Sequence, residues 1–153
     1  PLAATGVAAL RADRLITPGE GEGPAKLGMS LDEIIALLGR RYDQTGSEAS
    51  RGSETYYRWD FSELSGAIWV YVPAGSRSVG WIDTSIPSFR TSGGNYVGSS
   101  VEAFKLELGS DYTIGQTANG SPTLTWRTLG ISVVLDHPSS SDRVIVVGVG
   151  SRR

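Results

Sequence analysis

Two stretches of this chain carry the same pattern, and that repetition constrains its fold more than any other feature. Residues 27–39 read Leu-Gly-Met-Ser-Leu-Asp-Glu-Ile-Ile-Ala-Leu-Leu-Gly, and residues 97–109 read Val-Gly-Ser-Ser-Val-Glu-Ala-Phe-Lys-Leu-Glu-Leu-Gly. In each, a serine (Ser30, Ser100) occupies an N-cap position, an acid (Asp32, Glu102) lies in the first turn, and a glycine (Gly39, Gly109) follows the last apolar residue. Leu31, Ile34, Ile35 and Leu38 fall at i, i+3, i+4 and i+7, and Val101, Phe104 and Leu108 at i, i+3 and i+7, which gives each predicted helix one apolar stripe. Helices this short are marginal in isolation, so burial of the stripe must supply most of their stability. Tyr42 and Tyr112 extend the match, each three residues past its stop glycine.

Strand signals follow each helix. Tyr56-Tyr57-Arg58-Trp59-Asp60-Phe61 and Leu124-Thr125-Trp126-Arg127 are rich in aromatic and β-branched residues. A second run follows in each half, residues 66–73 and 130–138, ending in Pro73 and Pro138 ahead of small-residue turns at 74–78 and 139–142. Third strands are expected at 79–86 and 143–149. Each half therefore reads as a helix followed by a three-stranded antiparallel meander, and the expected fold is α+β, with two tandem repeats forming one sheet and short helices on one face. The polar, glycine-bearing stretches 44–54 and 114–122 read as loops between helix and first strand.

A length of 153 residues is ordinary for one domain, so two small units sharing a core are expected: repeat 1 at 27–91 and repeat 2 at 97–153, after an arm and glycine-rich lead-in at 1–26. Within that arm, residues 10–17 suggest a strand. Pro18-Gly19-Glu20-Gly21-Glu22-Gly23-Pro24 superficially suggests a phosphate loop, but it lacks the Gly-Lys-Ser/Thr ending and carries two glutamates that repel phosphate. Turn and linker is its reading.

The composition narrows the chemistry. With 14 Lys+Arg against 16 Asp+Glu and no long run of one sign, the basic footprint of a nucleic-acid binder is missing. Arg40-Arg41 and Arg152-Arg153 read as solvated surface. There is no cysteine, hence no disulfide or thiol chemistry, and no apolar run long enough to span a bilayer. An opening at Pro1 rather than methionine suggests processing, such as signal-peptide removal. His137 is the single histidine, which rules out a site built from several imidazoles, and in Asp136-His137-Pro138 it reads as a strand-end turn. Nothing in the sequence shows Asp60, Glu63 and Asp83 converging as an acid–base pair. No catalytic residue, metal site or cofactor is expected.

The aromatics are more informative. Tyr56, Tyr57, Trp59, Trp69, Tyr71 and Trp81 concentrate on the first unit's strands, whereas the second unit has Trp126. Alternation places Tyr57, Trp59 and Phe61 on one face, and Trp69 and Tyr71 opposite to Ile68, Val70 and Val72. If the aliphatic set meets the helices, Trp69 and Tyr71 face outward. Tyr56, Arg58, Trp69, Tyr71 and Trp81 are the candidate protein-binding residues, since Trp, Tyr and Arg are enriched in hot spots. Core or sheet cover is the competing role for Trp59 and Trp81.

The element Gly28-Met29-Ser30 with Gly39, repeated as Gly98-Ser99-Ser100 with Gly109, resembles the tandem repeat of the secreted beta-lactamase inhibitor protein family and the single repeat of the BamE-type outer-membrane assembly lipoproteins. The resemblance implies an extracytoplasmic location, two helix-capped halves in one continuous sheet, and a concave sheet face that grips another protein without catalysis. The inhibitors' cysteines and the lipidation cysteine have no counterpart here, so lactamase inhibition and membrane anchoring are not carried over. Three functions are expected in competition: a non-catalytic protein-binding module, a structural subunit of a surface layer or filament joined through residues 1–15 as a donated strand, and a binder of small molecules or carbohydrate.

Overall fold

The computed structural model describes residues 4–48, 54–136 and 143–151. In chain order the elements are α1 (Gly6–Ala12), β1 (Leu15–Thr17), β2 (Gly21–Glu22), β3 (Ala25–Lys26), α2 (Leu31–Leu38), β4 (Asp43–Glu48), β5 (Glu54–Phe61), β6 (Gly66–Val72), β7 (Trp81–Thr84), β8 (Arg90–Thr91), α3 (Val101–Leu108), β9 (Thr113–Gln116), β10 (Pro122–Trp126), β11 (Ile131–Leu135) and β12 (Val144–Gly150). The chain is α+β.

Both predicted helices form, and for the reasons their sequences give. Ser30 Oγ accepts from the Glu33 backbone N–H at 3.1 Å while the Glu33 carboxylate accepts from the Ser30 N–H at 3.0 Å, closing a capping box on α2. Ser100 Oγ accepts from the Ala103 N–H at 3.2 Å on α3, where alanine cannot return the bond. Gly39 and Gly109 stop the helices at φ 104° and 95°, a region that L side chains rarely adopt.

An eight-stranded antiparallel sheet runs in the order β4-β5-β6-β7-β12-β11-β10-β9. Each half is a helix followed by a four-stranded meander, and the last strands of the two halves, β7 and β12, pair at the centre. The halves match in detail: Gly28 N–H bonds to the Val79 carbonyl as Gly98 N–H bonds to the Val144 carbonyl, and the Val79 and Val144 N–H groups return to Met29 and Ser99.

Four expectations are corrected. The stretches read as loops at 44–54 and 114–122 contribute β4 and β9, the two edge strands, so each meander has four strands rather than three. An edge strand pairs on one side and stays wet, so its sequence need not show the apolar alternation that marks an interior strand. Residues 10–17 are not one strand, because α1 takes 6–12 and β1 only 15–17. The arm at 1–15 likewise is no spare strand where it is described: α1 packs against α2, and Leu10 is fully buried in the chain's own core. The turn-and-linker segment 18–24 holds β2, which joins β1, β3 and β8 in a small second sheet of order β3-β2-β1-β8. The expected turn at 139–142, with His137, lies outside the described residues.

One hydrophobic core fills the space between the large sheet and the helices. Ile34 and Leu38 of α2 and Val101 and Phe104 of α3 meet Trp59, Ile68, Val70, Ile82, Trp126, Val133 and Val147 of the sheet, with Leu10, Ile16 and Ala25 added from the lead-in. Each fully buried Leu, Ile or Phe contributes about 1.5–3 kcal/mol of transfer free energy, which holds helices too short to persist alone.

Candidate functional site

The core uses one face of the large sheet and leaves the other as the site. On β5, Tyr57, Trp59 and Phe61 are buried; on β6, Ile68, Val70 and Val72 are buried. The alternate residues therefore project from the opposite face, as the strand pattern predicts, and Trp69 and Tyr71 are half-buried there.

Strand register collects the candidates. Directly paired residues share a face, so one outer row runs Tyr56, Tyr71, Trp81, Gly150, and the next runs Arg58, Trp69, Asp83, Gly148, Ser132, Thr125. Tyr56, Arg58, Trp69, Tyr71 and Trp81 thus form one contiguous patch. The Tyr56 and Tyr71 rings lie 5.4 Å apart, and the Arg58 guanidinium sits 5.2 Å from the Trp69 ring centroid. Arg58 also pairs with Asp60 at 2.9 Å, an exposed contact worth little in stability but one that orients the guanidinium.

Trp59 and Trp81, which shared one reading in the sequence, separate. Trp59 is core. Trp81 is half-buried on the outer face, and its Nε1–H donates to Asp83 Oδ1 at 2.6 Å. Its ring lies against the backbone of β12. A Cβ at Gly150 would overlap Trp81 Cε3, and one at Gly148 would overlap Asp83 Oδ1 and stand 2.8 Å from Trp81 Cζ2. Glycines at positions 148 and 150 of β12 are therefore what allow the indole to lie along that strand.

Beyond Trp81 the outer face opens into a groove of about 1170 Å³. Trp69 and Tyr71 line one side, Thr117 and Asn119 of the β9–β10 turn line the other, and Gly148 and Ser132 belong to the strands between them. Asp83 joins the patch through register, which the sequence reading did not foresee. Signals were present in the Gly148-Val149-Gly150 alternation, which marks a close approach over a strand. The other carboxylates do not converge on a second site: Asp60 is held by Arg58, and Glu63 accepts from Ser62 Oγ at 3.5 Å. Among the described residues no cluster of three or more His, Cys, Asp or Glu is placed to hold a metal, and no helix is long and apolar enough to cross a membrane.

One acid sits where no local pattern points to it. Glu22 of β2 is fully buried, its carboxylate oxygens lack a hydrogen-bond partner, and β2 packs against the central strands β7 and β12. Burial pushes its pKa well above the ordinary carboxylate range, and the nearby Asp83 charge adds to the rise. Glu22 is consequently an acid whose protonated form is favoured by its surroundings, near the junction of the two halves.

No protein-family model matches the chain, and no curated protein sequence matches it. Among solved structures, the chain is similar to the crystal structure of the uncharacterized protein yfeY from Escherichia coli, with a TM-score of 0.57, 11% sequence identity, and coverage of 90% of this chain and 99% of that one. At that identity the likeness is one of fold.

Proposed function

We propose that this chain is an extracytoplasmic, non-catalytic protein-binding module whose contact surface is the outer face of the large sheet. The observation that carries the reading is the contiguous patch Tyr56, Arg58, Trp69, Tyr71 and Trp81, built from three neighbouring strands in register. Such a patch has the residue types of an interface anchor, and its rings are held by cross-strand packing, which limits the entropy lost on binding. The resemblance of the two serine-capped helical elements to the beta-lactamase inhibitor and BamE-type families supports the location and the mode of contact. No target follows from it.

Trp69→Ala tests the reading. Trp69 is half-buried and outside the core, so the variant is expected to keep the fold by circular dichroism and lose a partner captured by the parent chain under the same conditions. Unfolding of the variant, or capture unchanged by it, would count against the site.

Self-assembly is the second reading, favoured by one observation. All four residues of the edge strand β9 are exposed, and Ile114 on it is 75% exposed, so the sheet ends on an open ladder. Light scattering across a concentration series separates the two: a steady mass near 16.2 kDa supports the module, and growth into larger species supports the subunit.

A further inference from the structure

We propose that the groove beyond the aromatic patch binds a neutral oligosaccharide, with Trp81 as a stacking platform and Asp83 and Thr125 as acceptors for its hydroxyl groups. The inference uses the same outer face as the proposed function but does not depend on a protein partner.

The platform is built rather than incidental. Gly148 and Gly150 leave the space in which the Trp81 ring lies along β12, and the 2.6 Å bond from its Nε1–H to Asp83 Oδ1 fixes the ring's rotation. A flat, fixed, half-buried ring in a groove presents an apolar face to the C–H side of a pyranose at small entropic cost.

The hydrogen-bonding groups select the rest of the ligand. Ser132 Oγ donates to the Leu124 carbonyl at 3.1 Å, which uses its hydrogen. In the 3.0 Å contact between Thr125 Oγ1 and Ser132 Oγ, Thr125 must then be the donor. Its oxygen remains an acceptor on the groove side, and a carboxylate such as Asp83 is acceptor-only when ionised. Two acceptors on one floor call for a ligand rich in donors, which hydroxyl groups supply.

Charge and span complete the choice. Of the described residues lining the groove, the charged ones are Asp83 and Arg127, so they cancel formally and select neither polyanion nor polycation. Glycine, serine and threonine between the walls are joined by half-buried Val134 and Val146, so the floor offers small apolar surfaces beside its hydroxyl groups. Trp81 on β7 and Thr125 on β10 are three strand spacings apart, about 14 Å. A ligand that reaches both must be a chain of sugars rather than one ring.

The test is titration of the full chain with cellohexaose, maltohexaose and chitohexaose, followed by tryptophan fluorescence and by amide NMR shifts. Saturable binding of at least one hexasaccharide is expected, with glucose giving none. Trp81→Ala should weaken it about tenfold, the scale of one lost ring contact, and Thr125→Val severalfold. Should Trp81→Ala fail to fold, Thr125→Val and Trp81→Phe carry the comparison. No response to any hexasaccharide, or binding untouched by the variants that fold, overturns the proposal. Saccharide binding without any protein partner would leave it standing and end the protein-binding reading; partner capture lost in Trp69→Ala with no saccharide response would do the reverse.

Discussion

The indole N–H of Trp59 donates a 2.8 Å hydrogen bond to the carbonyl of Gly39, tying the core face of β5 to the end of α2. Trp126 repeats the bond to Gly109 at 3.0 Å on β10 and α3, and Tyr42 and Tyr112 stand against the two indoles with ring centroids 5.2 and 5.4 Å away. A helix that ends in a positive-φ glycine leaves its last carbonyls without intrahelical partners, and in both halves a tryptophan answers one of them. Trp59→Phe and Trp126→Phe should therefore each cost about 2–4 kcal/mol, from a small cavity plus an orphaned carbonyl. Urea denaturation reads the cost; a negligible change in either variant would show that its indole bond contributes nothing to holding that half together.

The helix caps predict an asymmetry between the halves. Ser30→Ala removes the acceptor and frees the reciprocal Glu33, whereas Ser100→Ala removes a single bond. Both should destabilise by about 1 kcal/mol, with the larger loss at Ser30. Equal midpoints in urea for the two variants would contradict the reciprocal contact.

Glu22 predicts a pH dependence. Its carboxyl titrates higher in the folded chain than in the unfolded one, chiefly through burial and then through Asp83. Below the ordinary glutamate value of about 4.3 both states are protonated and its contribution is fully present. As the pH rises from there towards the raised folded value, the unfolded chain binds fewer protons and stability falls. Glu22→Gln should flatten that decline relative to the parent, as measured by urea midpoints from mildly acidic to neutral pH. Parallel curves for the two proteins would mean that Glu22 does not titrate with folding.

Gly150→Ala probes the platform. The added methyl overlaps the Trp81 ring, so the indole must lift from the sheet, at a cost of about 1–3 kcal/mol typical of overpacking. The Trp81 indole N–H resonance should shift and its protection against exchange should fall, because the bond to Asp83 is disturbed. An unmoved resonance would place the ring elsewhere.

Much of this fold was legible in local signals. Serine caps, an acidic first turn, apolar spacing and stop glycines marked α2 and α3 because each acts within a few residues of chain. Alternation on β5 and β6 sorted Tyr57, Trp59 and Phe61 from Trp69 and Tyr71 because a strand buried on one face must alternate. The elements that escaped carry no such constraint: β4 and β9 are wet edges, and α1 is one short helix whose buried Ala9 and Leu10 show no extended period. Asp83 and Glu22 escaped for another reason, since their surroundings come from strands far away in sequence.

The sequence by itself determined the α+β class, the two capped helices and the outward aromatics, because propensity, capping and periodicity are properties of neighbouring residues. Only the tertiary structure decided that β7 and β12 meet at the centre, that glycines of the second half make room for a tryptophan of the first, and that one acid is buried without a partner. Those outcomes depend on register and packing between distant segments, where the free energy of burial is shared by residues that no local pattern connects.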